Sequence, residues 1–390
     1  MFDIGLQRAP SRFFCESYLD RRSVICGGGA AAFLAILSAL LGPREPVVAA
    51  PISGGVPELD RVAVRIVVED FQFAVAPGKK LEGLALENYG WGLSPDHPPG
   101  RTLISEFGLS MHVESRRGSD TRHVLVDFGF TPEALNNNLD LLGIRPNEID
   151  ALVLSHGHYD HFGGLAGFLK ANTAQLKPKL PFYVGGEDGF CARQWVAPPV
   201  KGDFGVIDRP ALEAANLTVM VTPEPALVGG HGFTSGRIAT QSFEKLKSPT
   251  AMKLGLNHGS GCDPKAFSEA ERAKGTIPDQ FNHEIATAFN LKGKGLIVLT
   301  SCSHRGVVNA VQQAQAASGV KKVHAIIGGL HLAPYPEDYV VETIEALRAL
   351  EPDYVFPLHC SGEVFYDKAR AAMPGKVVRA FTGTRLLFDA

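Results

Sequence analysis

The second half of the chain alternates between two patterns of apolar residues. Short, almost wholly apolar runs at 295–300, 323–327 and 354–358 predict buried strands. The stretches between them, 307–317 and 339–350, predict helices, the second with its apolar residues at helical spacing. Strands that alternate with helices through short connections predict a parallel sheet.

Each of these three strands is followed by a histidine. His304, His331 and His359 stand just beyond the predicted strand ends. Parallel strands bring their carboxyl ends to one edge of a sheet, where ligands bind in such folds. A single histidine at a strand end is more often structural, but three in succession favour a shared site.

The first half of the chain contains further strand patterns and long irregular stretches. Strands are predicted at 62–68, 106–113, 123–126, 149–154, 181–184, 217–221 and 285–289. Long loop insertions rich in proline and glycine are predicted around 71–103, 187–210 and 249–278. Insertions of this length in a compact protein are usually functional. We therefore expect the last two to form walls of a substrate pocket.

A dense group of polar residues follows the strand at 149–154. The segment Ser155-His156-Gly157-His158-Tyr159-Asp160-His161 places four metal-capable side chains within six positions, ahead of a helix that opens near Gly163-Gly164. Imidazole and carboxylate are ligands that zinc takes in proteins. A purely structural loop would crowd these titratable groups together without compensation. The spacing lets His156 and His158 reach one metal, and Asp160 and His161 a second.

This motif resembles the signature of the metallo-β-lactamase superfamily, and the likeness extends from about residue 60 to the C-terminus. The segments at 300–304, 327–332 and 358–362 resemble one branch, labelled 7,8-dihydropterin-6-ylmethyl-4-(ribofuranosyl)aminobenzene 5′-phosphate synthase-like. The resemblance implies an α/β (α+β) fold, the αββα sandwich. Two mixed β-sheets would pack face to face with helices on both outer faces, and the metal cleft would lie at one edge.

The resemblance also implies roles for individual residues. Asp127, at a strand end, would brace the metal-binding loop, although a simple turn-forming role stays open. A glycine-rich turn at 229–236 suggests His231 as the third ligand of the first metal, with His283 as its rival. Either can instead be a supporting or substrate-facing histidine. Phe107 stands where the family often carries a histidine, so that ligand is absent here.

The chain departs from the family at the position of a bridging aspartate. Here His304 or the thiolate of Cys302 would replace that carboxylate. One or two zinc ions are expected, with iron or manganese as alternatives. The residues expected to act as one metal-binding unit are His156, His158, Asp160, His161, His304 and His359. The residues expected to take part in catalysis are Asp160, His304 and His331, with His331 facing the substrate.

Together these features favour a metal-dependent hydrolase that uses a metal-activated water on an ester, lactone or phosphoester-type substrate. Three other functions stay open. They are a pterin-linked ribofuranosyl phosphate synthase-like enzyme, an iron-dependent oxidoreductase on the same ligands, and a non-catalytic ligand-binding protein.

The first 50 residues have the layout of an export leader. Arg21-Arg22 precede an uncharged apolar run at 24–41, and Val47-Val48-Ala49 offers small residues for cleavage. This pattern predicts a twin-arginine signal peptide, with the mature domain at 51–390 in the periplasm or secreted. An uncleaved membrane anchor is the alternative. After cleavage, no stable membrane association is expected.

The composition limits the kinds of molecule that the protein is expected to bind. A net charge of −3 with 20% charged residues gives no basic surface for nucleic acid. We expect a small-molecule substrate, and an oligomer is compatible with the sequence. Cys191 and Cys262 are the ordinary candidates for a disulfide, although spacing alone does not show whether they meet.

Overall fold

The computed structural model describes residues 46–90, 94–96, 98–199 and 201–390. The twin arginines and the apolar run of the predicted leader lie outside these residues. Val47 and Val48 form a short strand parallel to residues 220–221, and the amide of Ala49 donates to Val221. Cleavage after Ala49 would remove this edge strand. Within the described ranges, no helix has the length and apolar character needed to cross a membrane.

The strands and helices follow the apolar patterns of the sequence. The strands are β1 (Val47–Val48), β2 (Glu58–Leu59), β3 (Arg61–Val68), β4 (Lys79–Leu81), β5 (Leu84–Glu87), β6 (Ser110–Arg117), β7 (Asp120–Val126), β8 (Ala151–Val153), β9 (Pro181–Val184), β10 (Ala192–Trp195), β11 (Gly202–Asp203), β12 (Thr218–Val221), β13 (Leu227–Val228), β14 (Gly232–Thr234), β15 (Thr250–Lys253), β16 (Gly255–Asn257), β17 (Ser260–Cys262), β18 (Thr276–Pro278), β19 (Thr287–Leu291), β20 (Gly295–Ser301), β21 (Val323–Gly329), β22 (Tyr354–Leu358) and β23 (Arg385–Asp389). The α-helices are α1 (Pro132–Leu141), α2 (Tyr159–Phe162), α3 (Leu165–Asn172), α4 (Arg209–Ala214), α5 (Glu269–Lys274), α6 (Val307–Ser318), α7 (Glu337–Ala349) and α8 (Glu363–Ala372). Short 3₁₀ helices cover Pro146–Glu148, Glu187–Phe190, Pro264–Ala266 and His359–Ser361.

Two large mixed sheets carry the fold. The first has ten strands in the order β1-β12-β9-β8-β7-β6-β3-β23-β5-β4. The second has the order β13-β14-β19-β20-β21-β22, with β2 paired to β19. Within the second sheet β20, β21 and β22 are parallel, as the alternating pattern predicts.

Three apolar clusters show how the layers stack. In β7, Val124 and Val126 point to the cluster between the sheets, while Leu125 points to the opposite face, because side chains alternate along a strand. Leu125 packs in a cluster with residues of α1 and α3. The outer face of the second sheet packs against α6, α7 and α8. The αββα sandwich expected from the sequence is therefore confirmed.

The predicted insertions are more ordered than their composition suggests. The stretch 71–103 contains the β4–β5 hairpin, which extends the first sheet at one edge. The other two stretches pair with each other in a four-stranded sheet, β11-β10-β15-β18. A disulfide between Cys191 and Cys262 joins them. Treating them as irregular loops was wrong, because strands of two to four residues carry too little periodicity to recognise.

Candidate metal centre

The metal-capable loop leaves β8 at the edge where the two sheets meet. All four of its candidate ligands are buried, with His156 1%, His158 3%, Asp160 4% and His161 0% exposed. Gly157 lies between the first two because there is no room for a side chain. A β-carbon there would clash with the guanidinium of Arg193. The backbone of the loop at Gly157 therefore packs directly against the buried side chain of Arg193.

Asp127 organises two of these histidines. Its Oδ2 accepts hydrogen bonds from Nδ1 of His161 at 2.8 Å and from the hydroxyl of Ser155 at 2.7 Å. Since the Ser155 proton is directed to Asp127, Nδ1 of His156, 3.0 Å away, donates to the Ser155 oxygen. Both histidines thus keep Nε2 unprotonated and available to a metal. The brace expected of Asp127 is present in the geometry.

The first ligand group consists of His156, His158 and His304, whose candidate donor atoms lie within 4.8 Å of one another. Nε2 of His158 is held by the hydroxyl of Thr250 at 2.9 Å, which leaves Nδ1 for a metal. Burial, followed by the mutual repulsion of neighbouring cationic groups, lowers the pKa of all three well below the usual value. They are neutral imidazoles, the form that binds metals.

The second group consists of Asp160, His161 and His359. Nε2 of His359 lies 3.1 Å from Asp160 Oδ2, and its Nδ1 lies 3.4 Å from Asp70. Burial opposes ionisation of Asp160, but the adjacent His161 and His359 hold its pKa below the usual value. A carboxylate and two imidazoles form a typical ligand set for a divalent cation.

Five of the six residues in these two groups have a buried side-chain atom without a hydrogen-bond partner. Among the described residues, the buried side-chain atoms without a hydrogen bond include, at this site, His156 Nε2, Asp160 Oδ1, His161 Nε2, His304 Nδ1, His304 Nε2 and His359 Nε2. Buried polar atoms are nearly always paired, so such a concentration needs an explanation. A bound metal supplies it, and the residues present fit that cofactor.

Cys302 and His331 complete the centre. Cys302 can join His156 and His161, or His304 and His331, in a ligand triplet. The ring of half-buried His331 lies 4.0 Å from that of His304. Either residue can therefore reach a metal, and His331 also borders solvent.

The backbone at this edge is held in sparsely populated conformations. Asp127, Ser301, Ser303, His331 and His359 all have φ between 47° and 64°. Such left-handed residues are costly outside glycine and cluster at functional sites.

Two buried glutamates stabilise these strand ends. Glu69 accepts the amide of His359 at 2.9 Å, and Glu284 accepts that of His304 at 2.8 Å. Burial raises the pKa of Glu69 to about 8 and that of Glu284 to about 7.

Neither histidine proposed as the third ligand of the first metal belongs to the cluster. His231 is held by Ser115 at 3.1 Å and lies 3.2 Å from Asp120, near the opposite end of β7 from Asp127. The structure does not bring His231 to the candidate ligands, because His231 precedes β14, which has the same direction as β20 and so begins at the edge of the sheet opposite the site. His283 is adjacent, but its Nδ1 pairs with Asp188 and its Nε2 accepts from Gly157 and Arg193. His283 therefore lies beneath the loop, and His304 is the residue that joins His156 and His158 in a candidate ligand group.

Sequence reasoning missed the supports beneath the loop. Arg193 is 1% exposed and donates to Asp279 at 2.9 Å and to His283 at 3.0 Å. Thr250, which holds His158, lies 3.4 Å from the same Asp279. Arg193 lies in the first of these two insertions and Thr250 in the second, while Asp279 immediately follows the second, and no local motif marks any of them. The two insertions do therefore reach the site.

Aromatic side chains flank the centre. The Phe107 ring is 54% exposed and lies 5.0 Å from the His359 ring. Across the site, the Phe204 ring lies 5.4 Å from His158 and packs against Trp195. The approach to the ligands thus has apolar surface on two sides.

Comparisons with known proteins agree with this geometry. A family model described as the metallo-β-lactamase superfamily matches residues 108–237. The chain is 27% identical over 289 residues to the 7,8-dihydropterin-6-methyl-4-(β-D-ribofuranosyl)-aminobenzene-5′-phosphate synthase of Methanocaldococcus jannaschii, covering 70% of this chain and 90% of that protein. A ribonuclease Z of Treponema denticola is 27% identical over 153 residues, 38% of this chain and 39% of that one.

Among solved structures, Tm1679, described as a metal-dependent hydrolase of the β-lactamase superfamily, has the same fold. It superposes with a TM-score of 0.57 at 20% identity, covering 83% of this chain and 98% of that one. The chain therefore matches the metallo-β-lactamase superfamily over residues 108–237, resembles the archaeal synthase over 70% of its length and shares the fold of Tm1679.

Proposed function

We propose that this protein is a metal-dependent hydrolase that holds one or two zinc ions and cleaves an ester, lactone or phosphoester. The observation that carries the proposal is the group of buried ligand atoms without hydrogen-bond partners in two adjacent triplets. The match of residues 108–237 to the metallo-β-lactamase superfamily supports a metal-dependent enzyme in general. The bond cleaved and the metal are proposals.

The donor atoms favour zinc over harder cations. They are imidazole nitrogens, one carboxylate and the sulfur of Cys302. Two of the imidazoles are fixed through Asp127 with Nε2 unprotonated, so no proton has to be displaced from those nitrogens. When bound, zinc supplies Lewis-acid chemistry, polarising a carbonyl or phosphoryl group and lowering the pKa of water.

The side chains of the centre can orient the attacking water and contact the substrate. Asp160 has one oxygen beside His359 and one without a partner, so it can both bind a metal and accept a hydrogen bond from an attacking water. His331 borders solvent above His304 and is placed to donate a hydrogen bond to a substrate oxygen. Phe107 and Phe204 can contact the apolar part of the substrate.

We also propose that the mature protein is exported to the periplasm or secreted, and that its partner is a small-molecule substrate. The disulfide between Cys191 and Cys262 supports export, because disulfides persist mainly in oxidising compartments. The net charge of −3 gives no support for a nucleic-acid partner.

A synthase reaction is the second candidate. It is favoured by the similarity to the M. jannaschii synthase, which extends over 90% of that protein. A ribofuranosyl phosphate substrate would place its pterin or benzene ring against the aromatic side chains at the entrance. The two candidates predict different products from the same centre.

The test combines metal analysis with a substrate screen. Purified protein should contain one or two equivalents of zinc and turn over a lactone, phosphodiester, phosphomonoester or other ester. His158→Ala and His359→Ala should each lose metal and activity together, since they remove ligands from opposite groups. His231→Ala, buried but remote, is the matched control and should keep both.

Other outcomes identify the alternatives. Product formation only from the pterin and ribofuranosyl phosphate substrates would select the synthase, and bound iron with oxidation of a reductant would select an oxidoreductase. Full metal and full rate in both His158→Ala and His359→Ala would make the histidines structural and end the hydrolase proposal.

A further inference from the structure

Two free cysteines meet at the floor of the centre. Cys302 follows β20 and Cys360 follows β22, the strands on either side of β21, and their sulfur atoms are 3.1 Å apart. Gly329, at the end of β21, makes this approach feasible. A β-carbon at Gly329 would lie 2.8 Å from the Cys360 sulfur. The absence of a side chain on the middle strand leaves the space in which the thiols meet.

The same two sulfur atoms are within reach of the metal ligands. Cys302 can form a triplet with His156 and His161, and Cys302 and Cys360 can form one with His359. A cysteine binds a metal as the thiolate, and a disulfide sulfur is a poor ligand. Pairing of the two sulfurs and metal binding by Cys302 are therefore mutually exclusive.

We propose that Cys302 and Cys360 form a reversible disulfide, made by exchange with a small-molecule disulfide, and that this bond withdraws Cys302 from the metal centre. The inference rests on the metal centre proposed above, and it needs no assumption about the substrate. The sulfur atoms must close from 3.1 Å to a bond of about 2.05 Å, a movement of roughly 1 Å at the end of two side chains.

The exposure of the two residues sets the order of the exchange. Cys360 is half-buried and Cys302 is buried, so the Cys360 thiolate is the one that attacks an external disulfide. The first step forms a mixed disulfide at Cys360 and releases one small thiol. Cys302 then attacks the Cys360 sulfur, forms the internal disulfide and releases the second thiol. Two electrons pass to the small disulfide, and the protons of both cysteines end on the two released thiols.

The disulfide between Cys191 and Cys262 is an internal control for this experiment. Cys191 and Cys262 are 1% and 0% exposed and belong to the insertions, and neither is in a candidate ligand triplet. Their bond should stay closed under conditions that open and close the Cys302–Cys360 pair.

The experiment uses full-length protein stripped of metal with a chelator and treated with oxidised glutathione. Alkylation followed by peptide mass mapping should show a cross-link between residues 302 and 360, reversed by excess reduced glutathione. Preloading with zinc should slow the cross-link roughly tenfold or more, because coordination removes the free thiolate. The cross-linked protein should take up less zinc than the reduced protein. Circular dichroism should show the same folded state in both.

Cys360→Ser is the matched variant, since it keeps Cys302 as a ligand but removes its partner. Zinc uptake by this variant should not change after treatment with oxidised glutathione. The inference is overturned if folded, metal-free protein keeps both thiols alkylatable, if zinc does not slow the cross-link, or if the cross-link leaves zinc uptake unchanged.

These outcomes are separable from those of the proposed function. Protein that binds zinc and cross-links but cleaves no ester, lactone or phosphoester supports the thiol switch and removes the hydrolase proposal. Protein that cleaves such a substrate but never forms the cross-link supports the hydrolase proposal and removes the thiol switch.

Discussion

Asp127 accepts a hydrogen bond from Nδ1 of His161 at 2.8 Å, and both side chains are completely buried. The same carboxylate accepts the amide and the hydroxyl of Ser155. One residue at the end of β7 thereby orients His161 directly and His156 through Ser155. Partners of this kind fix the tautomer and the orientation of a metal-binding histidine.

The first prediction concerns this brace. Asp127→Asn should weaken zinc binding roughly 10–100-fold, because the amide removes the charge and can donate where the carboxylate only accepts. Zinc titration against a competing chelator measures the change. Asp120→Asn, at the exposed beginning of the same strand, is the control and should bind zinc like the parent. Equal affinity in the two variants would show that Asp127 only forms a turn.

The second prediction separates His304 from His231, two buried histidines with different surroundings. His304→Ala should release one metal equivalent, because it removes a member of the His156–His158–His304 group. His231→Ala should keep the parent stoichiometry, since its neighbours are Ser115 and Asp120. Metal content after gel filtration is the measurement. Loss of metal from His231→Ala alone would mean that His231, as the glycine-rich turn suggested, is the third ligand of the first metal.

The third prediction concerns the arginine beneath the loop. Arg193→Met should lower the free energy of unfolding by about 3–5 kcal/mol, because it leaves Asp279 buried without its cation. Urea unfolding of metal-free protein measures the loss. Arg122→Met, whose side chain is 41% exposed, should change stability by less than about 1 kcal/mol.

A second substitution tests the cause of that loss. Adding Asp279→Asn to Arg193→Met should recover part of the stability, since the stranded charge is removed. A double variant as unstable as the sum of both single variants would locate the cost in packing instead.

The fourth prediction concerns pH. Burial, followed by repulsion from His123, Arg65 and Arg385, lowers the pKa of His112 to about 3 from the usual 6.5. The carboxylate of Glu114 is also part of the surroundings of His112, since it accepts a hydrogen bond from Arg385. Between pH 6.5 and 3 the unfolded chain binds a proton at residue 112 that the folded protein excludes. Folding stability therefore falls as the pH falls through this window, by about 1.4 kcal/mol per unit.

Replacement of the imidazole isolates this contribution. On going from pH 7.5 to 5.0, metal-free parent protein should lose about 2 kcal/mol more than His112→Leu in urea unfolding. Parallel losses in the two proteins would mean that His112 stays accessible to protons in the folded state.

Local patterns were sufficient for the elements that matter most to the site. The parallel strands β20, β21 and β22 are long, apolar and separated by clear helices, so their order and the convergence of His304, His331 and His359 followed from the sequence. The four metal-capable side chains at 156–161 were visible because they are close together in the chain. The leader lies outside the described residues, and its role stays a prediction.

Tertiary structure decided which distant residues complete and support the centre. The third position of the first group belongs to His304, since only packing of the two sheets brings the end of β20 over the loop after β8. Arg193 and Thr250, together with Asp279 just after the second insertion, support that loop from segments whose strands are too short to be seen in the sequence. Cys302 and Cys360 are separated by a whole strand and meet across Gly329. Sequence spacing limits which residues can be neighbours along a strand or helix, whereas contacts between elements depend on how their apolar faces pack.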